Sequence, residues 1–107
     1  MQGIVELSAR QVELLIVLAE ECAEVQQAIS KLLRHGPDER FPSREPSPTN
    51  AEALEDELTD LYAVLAMIAT SRVISYPRVL DGVSQRIEEK KMYMYHYEEA
   101  PPKEQQQ

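Results

Sequence analysis

Tryptophan is absent from the 107 residues, and phenylalanine occurs once. The aromatic side chains are therefore five tyrosines and one phenylalanine, and the apolar content rests mainly on Leu, Ile, Val, Ala and Met. Cysteine occurs once, at Cys22, so no intrachain disulfide can form and nothing points to an oxidising compartment. There are 11 basic residues against 19 acidic ones, a net charge of −8. That balance argues against nonspecific binding to nucleic acid or to an anionic membrane. The apolar run Leu14–Ala19 is too short to span a bilayer, and acids follow it at once. The N-terminus has no basic region and cleavage signal, so a cytoplasmic protein is expected.

What remains is ordinary for one small globular domain, with 43% hydrophobic and 28% charged residues. Ala, Leu, Glu, Gln and Arg dominate the periodic segments, which favours helix. Ser8 with Gln11 reads as a capping box that opens a helix from Ala9 to about His35, where Gly36 and Pro37 stop it. Thr49 with Glu52 reads as a second capping box, for a helix from Asn50 to about Val73. Pro77 opens a third helix carrying Val79, Leu80, Val83, Ile87 and Met94, which Gly82 weakens. Residues 36–48 carry four prolines and no period, so they form a loop. Met92–Tyr97 alternates like a short strand but fits a frayed helix end better. Residues 1–99 thus make one domain, with a flexible tail over 100–107. The fold expected is all-α, a bundle of long antiparallel helices. Leu14–Ala19 is apolar all round and must be covered on every face, so the bundle is expected to be completed by oligomerisation, as a homodimer or homotetramer.

The informative residues are acids in the wrong place. The first helix's apolar stripe runs Leu14, Leu18, Glu21, Val25, Ala28, Leu32. In the second, Glu57 lies three after Leu54 and four before Leu61. A carboxylate turned toward a core is costly unless paired, protonated or metal-bound. Glu21 with Glu24, and Glu57 with Asp60, are each spaced i,i+3, so each pair shares a helix face. Two such faces opposed build a cage of four carboxylates, the oxygen donors a hard cation such as Mg²⁺ takes. A single acid of this kind is more often a solvated face; two matched pairs on core helices point to a site. A ferritin-like di-iron site is a poor fit, because neither His35 nor His96 stands in a Glu-x-x-His motif.

The order Glu20-Glu21-Cys22-Ala23-Glu24, a gap, then Glu57-Leu58-Thr59-Asp60-Leu61-Tyr62 resembles the MazG-like all-α NTP pyrophosphohydrolases. The likeness covers roughly residues 14–80, including Leu18-Ala19 before the first motif and Val25–Leu32 after it. It implies a reaction in which an NTP and water give NMP and pyrophosphate. It also implies that Glu21, Glu24, Glu57 and Asp60 hold two or more Mg²⁺ ions, with Mn²⁺ as a substitute. The physical logic is sound, since such ions neutralise phosphate oxygens and acidify a water aimed at phosphorus. Glu20 is either a general base beside Glu21 or an outward-facing acid. The 32 residues between Glu24 and Glu57 exceed the family's usual spacing, because of the Pro-rich loop. The family's Lys from the following helix matches only Lys90 and Lys91, late in a longer helix.

Further phosphate contacts are conceivable from Lys31, two turns beyond Glu24, and from Arg40 and Arg44 if the loop closes as a lid. Surface charge and plain linker are the competing readings. Tyr93, Tyr95, His96 and Tyr97 suit packing better than base stacking. Cys22 has no nearby His and reads as a small core residue, not a nucleophile. Two alternatives stand beside the main reading: a phosphoribosyl-ATP pyrophosphohydrolase, and a non-catalytic helical dimerisation or regulatory module.

Overall fold

A computed structural model describes residues 6–40 and 46–99. The element order is α1 (Ala9–His35), α2 (Asn50–Ile68), α3 (Tyr76–Asp81) and α4 (Val83–Lys91). No strand occurs among the described residues, which leaves an all-α fold with one isolated bridge between Arg40 and Thr49. The expected tail and Arg44 lie outside the described residues.

Both long helices begin where their capping boxes place them. The Ser8 hydroxyl accepts from the Gln11 N–H at 3.1 Å, and Gln11 Oε1 accepts from the Ser8 N–H at 2.9 Å. Thr49 and Glu52 repeat the arrangement at 3.1 and 2.9 Å. Each box satisfies two amides that a helix start leaves without partners. Helix α1 contains no Gly or Pro and ends at Gly36, whose φ of 92° only glycine adopts without strain. The Gly36 N–H closes the last turn on Leu32 O at 2.8 Å.

Helix α2 ends five residues before the expected Val73. Two hydroxyls stop it: Thr70 Oγ1 donates to Met67 O at 2.9 Å and Ser71 Oγ to Ile68 O at 2.6 Å. Side chains that take carbonyls in this way compete with the helical ladder. Arg72 then turns the chain with a φ of 67°. Gly82 does more than weaken the third helix. It divides it, serving as the C-cap of α3 and the N-cap of α4 with no side-chain cap. Past Lys91 the chain frays through single turns, with the Met92, Tyr93 and Met94 amides donating three residues back.

The described chain forms two compact units, Met1–Ile74 and Ser75–Gln107. In the first, α1 and α2 make an antiparallel hairpin. Gln11 Nε2 donates to Ser71 O at 2.7 Å at one end, and Asn50 Nδ2 donates to Gly36 O at 2.9 Å at the other. Leu14, Ala28, Val64 and Ile68 are its buried apolar residues, with Ile68 wholly so. A fully buried side chain of this size contributes about 1.5–3 kcal/mol, so this core is small for the length of its helices. In the second unit, α3 and α4 pack on each other.

Candidate metal centre

The antiparallel hairpin decides which residues meet. Each step forward along α1 is matched by a step back along α2, so the middle of one faces the middle of the other. Glu21 and Glu24 come from the middle of α1, Glu57 and Asp60 from the middle of α2. Glu21, Glu57 and Asp60 each offer one carboxylate oxygen, and these oxygens lie within 4.8 Å of one another. Two oxygens on opposite sides of a Mg²⁺ ion stand about 4.2 Å apart, so the cluster is of the right size for one cation.

Burial separates the members. Glu21 and Glu57 are half-buried, whereas Asp60 and Glu24 are exposed at the rim. Glu21 Oε2 and Glu57 Oε2 are closed to solvent and have no hydrogen-bond partner. An acceptor buried without a donor costs about 1–3 kcal/mol, more when charged. Burial raises the pKa of Glu21, and the charges of Asp60, Glu24 and Glu20 raise it further. Burial also raises that of Glu57, followed by a hydrogen bond with Glu24 and the charges of Glu24, Asp60 and Glu21. Glu24 thus acts on Glu57 as a neighbour, while the close cluster of oxygens holds Glu21, Glu57 and Asp60. No basic group enters either shift. The local field is negative throughout and suits a cation held by hard oxygen donors.

The other sequence-derived candidates are not part of this cluster of oxygens. Glu20 is exposed and acts on Glu21 only as the weakest of its charged neighbours. Lys31 is exposed further along α1. Arg40 is engaged at the loop base, where its Nη1 donates to Ser47 O at 2.7 Å and lies 3.9 Å from Glu52 Oε1. It ties the loop to the start of α2. Cys22 is exposed and is not the core residue expected, because one step round the helix from Glu21 takes it off the stripe that meets α2.

Lys90 and Lys91 belong to the second unit. Lys91 Nζ donates to Glu88 Oε1 at 3.1 Å and stands 5.3 Å from the centre of the Tyr97 ring. The hydrogen bond and charge of Glu88 raise its pKa, so it stays cationic. Lys90 lines a groove of about 720 Å³ between α3 and α4 together with Arg78 and Arg86. Those two arginines were invisible as a set in the sequence, because the break at Gly82 brings them together, not a helical repeat.

A family model described as the MazG nucleotide pyrophosphohydrolase domain matches residues 10–94. No curated protein and no solved structure matches the chain. The match spans both carboxylate helices and the α3–α4 unit, and by it the chain belongs to the MazG nucleotide pyrophosphohydrolase family.

Proposed function

We propose that this chain is a Mg²⁺-dependent nucleoside triphosphate pyrophosphohydrolase, converting a (d)NTP and water to (d)NMP and pyrophosphate. The observation that carries the reading is the pair of orphaned, solvent-closed oxygens of Glu21 and Glu57 inside a cluster of carboxylates. A cation held by hard oxygen donors would satisfy both acceptors, for which the described residues supply no hydrogen-bond partner.

Glu21 and Glu57 would hold the inner ligand positions, with Glu24 and Asp60 completing the set from the rim. Two or more Mg²⁺ ions, or Mn²⁺ in their place, would bridge the chain to the triphosphate and acidify an attacking water. The rigid helices fix the spacing of the four carboxylates, and the exposed rim leaves room for phosphate oxygens to complete the coordination. Glu20, beside Glu21 and exposed, would accept a proton from a water on the solvent side. Cleavage falls between the α and β phosphates. The physiological role is control of the nucleotide pool in the cytoplasm.

A panel of dNTPs, NTPs and phosphoribosyl-ATP, with separate detection of pyrophosphate and orthophosphate, tests the reading. Mg²⁺-dependent release of pyrophosphate, abolished by Glu57→Gln, is expected. Folded protein that releases none from any substrate is the helical module instead. Turnover of phosphoribosyl-ATP alone would move the substrate to the second enzyme class.

A further inference from the structure

Given the pyrophosphohydrolase activity proposed above, on which this inference rests, we propose that the substrate lies along the carboxylate side of the α1–α2 hairpin in one direction, with its nucleoside on Val17 and Met67 and its terminal phosphate toward Lys31. The hairpin's hydrogen bonds set the levels. Gln11 meets Ser71 at one end, and Asn50 meets Gly36 at the other. Interpolated between those bonds, Glu24 on α1 stands level with Asp60 on α2, Val17 with Met67, and Lys31 with Ala53. At about 100° per residue, a step of seven returns to within about 20° of the same face after about 10 Å of rise. Val17 and Lys31 are each seven from Glu24, and Met67 and Ala53 are each seven from Asp60. The side of the hairpin that holds the carboxylates therefore continues for about two turns in both directions.

The two directions differ in chemistry. Toward the start of α1 the surface is apolar. Met67 is 52% exposed, Val17 is half-buried, and Val64, about one turn before Met67, is buried. Toward the end of α1 the surface is polar. Lys31 is exposed across from the small Ala53, and it makes no ion pair among the described residues. Charge divides in the same way. Two acids, Glu13 and Glu20, flank Val17 on its face of α1, whereas at the other end a single acid, Asp56, is offset by Lys31.

A nucleotide divides along its length in the same sense. Its phosphates are anionic, and an ammonium on a flexible stem attracts them. Its base is a flat ring with apolar faces, against which the polarisable, adaptable thioether of a methionine packs well. Distance agrees, because about 10 Å from the carboxylates is the reach from an α-phosphorus across the sugar to the base. In the opposite direction the terminal phosphate would meet Glu13 and Glu20, and the base would sit over a lysine. The nearest cation at that end, Arg10, lies about two turns beyond Val17, and its Nη2 donates to Thr70 Oγ1 at 3.5 Å. Met67 is thus a determinant of affinity for the nucleoside, and Lys31 of affinity for the polyphosphate.

Calorimetric titration of the full chain in Mg²⁺ reads the two ends of the substrate separately. The four dNMPs carry the nucleoside with one phosphate, and inorganic tripolyphosphate carries no nucleoside. Met67→Gln should raise the Kd of the dNMPs roughly fivefold or more and leave that of tripolyphosphate unchanged. Met67→Leu, which keeps the apolar surface, should bind the dNMPs like the native chain. Lys31→Ala should do the converse, weakening tripolyphosphate and sparing the dNMPs. A Met67→Gln chain that binds the dNMPs as tightly as the native one, or a Lys31→Ala chain that loses the dNMPs and keeps tripolyphosphate, would overturn the proposal. Should Met67→Gln lose helicity, Val17→Thr, of nearly the same shape, takes its place with the same expected outcome. Native protein that releases pyrophosphate while the crossed pattern is missing overturns the orientation alone. Native protein that binds both probes but releases none overturns the activity, and one that binds neither overturns both.

Discussion

Glu21 on α1 and Glu57 on α2 each turn Oε2 into a space that neither solvent nor any hydrogen-bond donor reaches, and their carboxylates approach each other within 4.8 Å. Two like charges held in this way oppose folding until something positive joins them.

Divalent metal should stabilise the chain strongly. An ion that binds only the folded state at one hundred times its Kd contributes about 2.7 kcal/mol, which in a chain of this size raises Tm on the order of 10 °C. Differential scanning fluorimetry with and without Mg²⁺ or Mn²⁺ measures this. In Glu57→Gln the metal-free Tm should rise above that of the native sequence, because a repulsive charge is gone, and the response to metal should shrink.

The metal-free protein should lose stability as pH rises. Glu21 and Glu57 both have folded-state pKa values above the ordinary 4.5. For acids shifted upward, the folded state binds more protons, so stability is greatest below the unfolded value and falls as pH climbs through the folded one. Tm measured in EDTA should therefore decline from about pH 4.5 upward. Saturating Mg²⁺ should flatten or reverse the slope, since the ion favours the ionised carboxylates.

These carboxylates are also the part of the site that the sequence exposed most clearly. A glutamate at a core position of an apolar stripe is visible without coordinates, and the i,i+3 spacing settles which pairs share a face. The capping boxes at Ser8 and Thr49 were equally plain, because each is a contact within four residues. The stop of α2 at Ile68 was not, since it depends on the Thr70 and Ser71 hydroxyls turning back to carbonyls. Cys22 reads as a core residue in the sequence and is exposed in the structure, because a run that is apolar all round does not say which side meets α2. The partners of Arg40 were hidden in a loop without a period.

Arg40 should act as a staple of the loop. Its bond to Ser47 O and its proximity to Glu52 hold the loop base on α2. With the side chain largely exposed, Arg40→Ala should cost roughly 1 kcal/mol or less and lower Tm by a few degrees. A rise in KM with an unchanged Tm would assign Arg40 to the phosphates instead.

The capping box of α2 should matter more than its surface position suggests. Thr49→Ala removes the acceptor for the Glu52 N–H and should cost about 1 kcal/mol. Because Thr49 hydrogen bonds hold the Glu52 pKa below its ordinary value, the variant should raise that pKa toward it, a shift readable by NMR titration.

Activity should separate the acids. Glu21→Gln and Glu57→Gln each remove a donor oxygen from the cluster and should lower kcat by about 10²–10³, as fits the loss of several kcal/mol of charge stabilisation. Glu20→Gln, outside the cluster, should lower kcat less than either and shift the acid limb of the pH–rate profile if it accepts the water's proton.

The most direct measurement is a Mn²⁺ titration of the full chain followed by electron paramagnetic resonance, where the free-ion signal disappears on binding. The native sequence should deplete the signal stoichiometrically, and the Glu21→Gln, Glu57→Gln double variant should leave it at the level of buffer alone. Native protein that leaves the free Mn²⁺ signal untouched, or a folded double variant that binds as well as the native chain, would contradict the assignment of these carboxylates as the metal centre.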